Sequence, residues 1–138
     1  METYDPLVAP DPAAWLALEE PERLALVVAY HERMGIKLST MRAHASTHVI
    51  VENQIAEGDQ LPVREKARRL VAQGLDRHDV IHAIGSVLIN HIWEITKGQV
   101  TDADPNQRYF RALERLTVRS WRRFGGAPRR LTAPPPGG

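Results

Sequence analysis

The sequence predicts an all-α protein, a single-domain bundle of about five to six helices. Three observations carry this expectation: apolar side chains recur at a period near 3.6 residues, no convincing stretch alternates at period two, and Pro and Gly fall where helices start and stop.

Asp11-Pro12 opens a short first turn carrying Trp15, Leu16 and Leu18, since proline suits the first helical position and aspartate the cap before it. Pro21 opens a second helix in which Leu24, Val27, Val28 and Met34 share a stripe, with Gly35 as its stop. Ser39 or Thr40 caps a third helix to about Glu57, closed by Gly58; the β-branched run Val49-Ile50-Val51 keeps the helical period and stays within it. Leu61-Pro62 starts a fourth that reaches Gln73 before Gly74. Asp76 caps a fifth, running from Arg77 to about Lys97 and stopping at Gly98. Asp104-Pro105 opens a last, arginine-rich helix to about Phe124. The helical domain therefore covers 1–124, and a Pro/Gly-rich tail follows over 125–138. Leu24, Val27, Val28, Val49, Ile55, Leu70, Ile84, Val87, Leu88 and Trp93 are the expected core.

A chain of 138 residues with 43% hydrophobic and 25% charged side chains suits one ordinary globular core. It has no Cys, which removes disulfides and thiolate metal sites and leaves imidazole and carboxylate as ligands. Eighteen Lys plus Arg against seventeen Asp plus Glu argue against bulk-charge binding to nucleic acid or membrane. The longest uncharged run, Val80 to Trp93, has 14 residues and contains His82, Asn90 and His91, too short and too polar to span a bilayer. The start lacks a basic and apolar leader, so the expected location is the cytoplasm. There is no Gly-rich phosphate loop, no Gly-x-Ser-x-Gly elbow and no His-Glu-x-x-His segment.

The information lies in the six His. His44-Ala45-Ser46-Thr47-His48 on the third helix and His78-Asp79-Val80-Ile81-His82 on the fifth repeat one pattern, His-x-x-x-His. Residues i and i+4 share a helix face, so each pair can converge on one ion at about 2.0–2.1 Å per nitrogen, and two such helices face to face assemble four imidazoles. The competing account is a set of half-buried histidines satisfied by ordinary hydrogen bonds. Glu52 continues the His44–His48 stripe, but eight residues rise about 12 Å, so His44 and Glu52 do not easily bind one ion through a straight helix: Glu52 either orients an imidazole or ligates a second ion, and the favoured reading is a single ion with Glu52 near an open coordination position as ligand or proton acceptor. Asp76 as cap puts His78 in the first helical turn, where the helix dipole disfavours imidazolium and keeps the ring a ligand. Asp79 fits the cap better than a role behind a facing histidine, and Gly85 clears space one turn after His82. His31 is a further candidate ligand or acid/base group with no spacing to support it; His91 projects away from His82 and makes a separate contact.

Tyr4-Asp5-Pro6, Tyr30-His31, HASTHVIVENQIAEGD, Pro62-Val63 and GLDRHDVIHAIGSVL resemble a small bacterial family of uncharacterised proteins, a domain of unknown function marked by two His-x-x-x-His helices. The resemblance spans roughly residues 4 to 97 and implies no particular activity. Related patterns place a carboxylate after the second pair as well, where this chain has Gly85 and Ser86, so it implies one carboxylate here rather than a symmetric pair of centres.

The functional expectation is a metal-binding helical protein with one zinc or iron ion on His44, His48, His78 and His82 and with Glu52 as metal neighbour and catalytic proton acceptor. A metal-dependent enzyme acting on a small-molecule substrate by water activation, or by oxygen chemistry if the ion is iron, follows from an open coordination position. A closed structural or sensing site is the alternative. So is an adaptor using the Arg-rich segment from Arg108 to Arg130, whose local charge is +7 and which suits an acidic face, including that of a second copy in a homo-oligomer, at least as well as nucleic acid.

Overall fold

A computed structural model of the chain describes residues 1–100 and 103–123. The described residues form seven α-helices and no strand: α1 (Pro12–Ala17), α2 (Glu20–Arg33), α3 (Met41–Ala56), α4 (Val63–Ala72), α5 (Arg77–Thr96), α6 (Pro105–Arg115) and α7 (Val118–Arg123), with a short 3-10 turn at Gly58–Gln60 between α3 and α4. The chain is thus an all-α bundle. None of these helices is long and apolar enough to cross a membrane.

Local chemistry explains the boundaries. The Asp11 carboxylate accepts from the Ala14 amide at 3.0 Å, Asp76 from the Asp79 amide at 2.8 Å, and Asp104 from the Asn106 amide at 3.0 Å, each satisfying an amide that the first turn leaves without a partner. Glu19 and Glu22 open α2 with a reciprocal capping box. Gly58 ends α3 at φ +86°, a left-handed conformation that a side chain resists; the Arg64 guanidinium lies 3.4 Å from where its Cβ would be. 

The arginine-rich segment is two helices, not the single one expected. Leu116 turns extended, and Thr117 and Ser120 cap α7 reciprocally, the Ser120 amide donating to Thr117 Oγ1 and the Thr117 amide to Ser120 Oγ, both at 3.0 Å. The buried Lys66 ammonium donates to the carbonyls of Glu114 and Leu116, at 3.2 and 2.9 Å, and so fixes the break from α4. The expected end at Phe124 and the tail at 125–138 lie outside the described residues.

α3 packs against α1, α2, α4 and α5 and divides the interior. On one side Tyr4, Trp15, Val27, Tyr30, Ala45 and Val49 form an apolar cluster; on the other, Val51, Val63, Leu70, Ile81, Ile84, Leu88, Tyr109, Leu113 and Trp121 belong to a larger one. One residue of the expected α2 stripe and one of the expected core lie elsewhere. Met34 is 62% exposed just past the end of α2, and Trp93 is only half-buried, with the Lys97 ammonium 5.1 Å from its ring. Five of the six histidines lie where α2, α3 and α5 meet.

Candidate metal centre

α3 and α5 bring the two His-x-x-x-His pairs together as their spacing predicts. The centroids of His44 and His48 are 4.9 Å apart, and each lies 5.1 Å from that of His82. His78 stands 4.3 Å from His82 and 5.3 Å from His48. α2 adds a fifth ring: His31, 1% exposed, lies 4.8 Å from His44 and 5.2 Å from His48. Two groups of three place their ligand nitrogens within 4.8 Å of one another, His44/His48/His82 and His31/His48/His78, and either could hold a metal ion. His48, fully buried, belongs to both.

The hydrogen-bond inventory shows where the lone pairs point. His31 Nδ1 lies 2.8 Å from the Val27 carbonyl, which can only accept, so Nδ1 carries the proton and Nε2 in the neutral ring carries a lone pair. That Nε2 is buried without a hydrogen-bond partner, as are His44 Nδ1 and His78 Nε2. His48 Nε2 and His82 Nε2 face each other at 3.1 Å. Two ligand nitrogens at the usual bond length on a common ion stand about 3 Å apart, so the separation fits co-ligation as well as an N–H···N bond. Three unpartnered ring nitrogens at one locus run against the rule that buried polar atoms find partners, and a shared cation would satisfy them together.

Electrostatics keep the four paired rings neutral and therefore ligating. Burial, reinforced by His31 and His78, lowers the His44 pKa to about 4; burial, reinforced by His78, His44 and His31, lowers that of His82 to about 3. His48 is held well below its ordinary value, chiefly by burial and then by the surrounding imidazoles. His78 is lowered too, burial outweighing the opposing pull of Asp76, Asp79 and Asp5.

Glu52 is not placed as expected at an open coordination position. It belongs to neither triad, and its carboxylate is occupied: Arg77 donates to Oε1 at 2.6 Å and to Oε2 at 2.8 Å, and the Tyr4 hydroxyl donates to Oε2 at 2.6 Å. The physical reason is burial. A carboxylate 2% exposed needs a charged partner, and the bidentate guanidinium supplies it. Glu52 still reaches the histidines through Tyr4. With its proton committed to Glu52, the phenol oxygen can accept from His48 Nδ1 at a long 3.4 Å, which leaves the His48 lone pair on Nε2, toward His82. A chain of contacts thus runs from Arg77 through Glu52 and Tyr4 to His48.

His31, the candidate ligand without spacing to support it, joins the cluster, and Tyr4 and Arg77 are members that the sequence does not assign to it. His31 follows Val27 by four residues and shares the buried face of α2, so a histidine inside an apolar stripe was the available signal. Tyr4 and Arg77 meet Glu52 from far away in sequence, and nothing local announces them. Asp76 caps α5 and Asp79 lends it an amide, as expected; Gly85 is buried in α5, and His91 lies apart against Tyr109.

Comparison with known proteins finds no matching family model, no matching curated protein and no matching solved structure, so the chemistry of the site rests on its own geometry.

Proposed function

We propose that the chain is a metal-binding helical protein in which His44, His48 and His82 hold one divalent ion, zinc or iron, and that the centre activates water against a small-molecule substrate. The observation that carries this is the convergence of unpartnered ring nitrogens on one buried locus. The His44/His48/His82 group has the shorter sides, whereas His31 and His78 are 6.4 Å apart, and three protein ligands are the number that leaves a coordination position open. Imidazole suits zinc, iron and copper alike, and the absence of thiolate sets the preference no further.

An ion bound there supplies Lewis acidity toward water. The chain's own residues do the rest. His48 is oriented by Tyr4 and Glu52 so that Nε2 faces His82. His78, whose buried Nε2 has no hydrogen-bond partner, takes up a proton at that atom in the tautomer that leaves a lone pair there, the role sequence reasoning gave to Glu52. His31, locked by the Val27 carbonyl, brings an unpartnered Nε2 to the same locus. The five rings also suffice to close a tetrahedron with four of them, which is the non-catalytic alternative.

Elemental analysis of protein purified without an affinity tag tests the proposal. About one equivalent of metal is expected in the native chain, with most of it lost in His48→Ala and His82→Ala. Unchanged metal content in both variants, or none in the native chain after metal addition, removes it. A four-coordinate all-nitrogen cobalt spectrum that added anions do not perturb selects the closed, non-catalytic site.

A further inference from the structure

A cleft of about 440 Å³ lies between the N-terminal segment, α1, α3 and α4, within the ~300–1,000 Å³ common for small-molecule pockets. Ile55 and Ala67 on its walls pack against the larger apolar cluster and Ala56 against the smaller, so the cleft marks the seam between them. Its floor is closed. Trp15 is fully buried, and Glu52, 2% exposed, is held by Arg77, whose guanidinium is committed to that carboxylate and to the Pro6 carbonyl. Its walls are accessible: Ile55, Ala56 and Ala67 are half-buried, and Val71 is 49% exposed. Arg64, Ala67, Arg68 and Val71 stand at i, i+3, i+4 and i+7 on one face of α4, so two guanidiniums share a wall with two apolar side chains.

Both guanidiniums keep N–H groups within reach of a ligand. Arg64 donates from Nε to the Ile55 carbonyl at 3.0 Å and from Nη2 to the Ala56 carbonyl at 3.4 Å, two of the acceptors that the last turn of α3 leaves open. These bonds fix its plane. Its Nη1 has no partner among the described residues and, unlike the histidine nitrogens, is not closed to solvent. The Arg68 side chain is 63% exposed and meets Glu65 Oε2 at 3.7 Å, on a carboxylate that also accepts from Arg69 at 3.2 Å. Arg77 and Glu52 cancel each other, Arg68 has half a counter-charge, and Arg64 has only backbone dipoles. The lining therefore carries uncompensated positive charge beside an accessible apolar wall. A carboxylate matches the first through the fork geometry of guanidinium, and an apolar body matches the second.

We propose that the cleft between α1, α3 and α4 binds a monocarboxylate with an apolar body, its oxygens on Arg64 and Arg68 and its chain against Ile55, Ala56, Ala67 and Val71. The anchoring of Arg64 to the end of α3 means that little side-chain freedom is lost when the ligand arrives. The assignment stands on its own observations and does not depend on the metal centre.

The test follows the methyl resonances of Ile55 and Val71 in the full-length protein by NMR while octanoate is added at constant ionic strength, with acetate and octylammonium as controls. Octanoate should shift both sets saturably. Acetate, which lacks the chain, and octylammonium, which reverses the charge, should not. By calorimetry, Arg64→Gln should weaken octanoate about tenfold, and Arg68→Gln about three- to fivefold, the smaller loss of an exposed partner. Val71→Glu, which sets a negative charge on the apolar wall, should abolish binding. Arg68 and Val71 are exposed, so these two variants keep the fold even where Arg64→Gln loosens the end of α3. Absence of a saturable shift overturns the proposal, as does acetate or octylammonium binding as well as octanoate. So does unchanged affinity in both Arg68→Gln and Val71→Glu. Loss of octanoate binding on adding a chelator would place the carboxylate on a metal ion and overturns it too, and so does an acidic peptide that moves these methyls where octanoate does not.

Discussion

His48 is the residue through which the centre is organised, because it alone belongs to both nitrogen triads and it alone is tied to the Tyr4–Glu52–Arg77 chain. Removing the link rather than the ligand separates orientation from ligation. Tyr4→Phe deletes one hydroxyl while leaving Glu52 its bidentate guanidinium, so metal affinity should drop about 10- to 100-fold with the helical content unchanged. Titration against a competing chelator measures it, and native affinity in the variant would show that Tyr4 does not act on His48. A second expectation follows from the lowered histidine pKa values of the metal-free protein. Unfolded imidazoles titrate near 6.5, whereas folded His44 waits until about 4 and His82 until about 3. The unfolded state therefore binds protons that the native state refuses, and stability, intact above pH 6.5, declines as pH falls through the window from 6.5 toward 4 and 3. Urea midpoints recorded from pH 7.5 to 4.5 should fall steadily, and His44→Ala should flatten the curve. A native profile already flat over that range would contradict the burial assigned to these rings. Sequence spacing revealed the four paired histidines because i and i+4 geometry is local; it misplaced Glu52, because whether a carboxylate meets a metal or a guanidinium is decided by a residue from another helix.

At the scale of elements, α3 and α5 were legible nearly to their ends because each cue is short-range: Asp76 as cap, Gly58 and Gly98 as stops, and a steady helical period between them. The division of the last helix was not, although Thr117 and Ser120 are three residues apart as in a capping box. The buried Lys66 that completes the break comes from α4, outside any local window. Its replacement offers an element-level test. Lys66→Met keeps the aliphatic stem but leaves the Glu114 and Leu116 carbonyls without their donor, so a loss of about 1–3 kcal/mol is expected, with the α6–α7 amides losing hydrogen-exchange protection first. Uniform loss across the chain would argue against a local role. The α3–α5 pairing has a sharper dependence on Arg77, which joins Glu52 on α3 to the Pro6 carbonyl of the N-terminal segment. Arg77→Met strands a buried carboxylate and should cost about 3–5 kcal/mol, whereas Arg77→Met with Glu52→Gln should recover part of that loss. Denaturant unfolding of the single and double variants decides it, and a double variant less stable than the single would refute the account.

For the whole molecule, the position of the histidines between two apolar clusters has a thermodynamic consequence. His31 comes from α2, which belongs with the Tyr4–Trp15–Val27 cluster, while His78 and His82 come from α5, which belongs with the Val51–Leu70–Ile84 cluster, and His44 and His48 sit on the helix shared by both. These ligands are remote in sequence, so the unfolded chain offers isolated pairs at best and an ion binds the native state preferentially. Stabilisation then follows from mass action, about 2.7 kcal/mol when free metal is 100-fold above its Kd, which for a chain of this size corresponds to a rise of about 5–15 °C in Tm. Metal should therefore raise the midpoint in a concentration-dependent way, chelator should reverse it, and His48→Ala should abolish the gain because it removes the ligand common to both triads. His31→Ala discriminates between the positions: the gain persists if the ion sits on His44, His48 and His82, and disappears if it sits on His31, His48 and His78. An equal rise in the native chain and in His48→Ala would mean that the metal binds elsewhere, and that the five rings meet for packing alone.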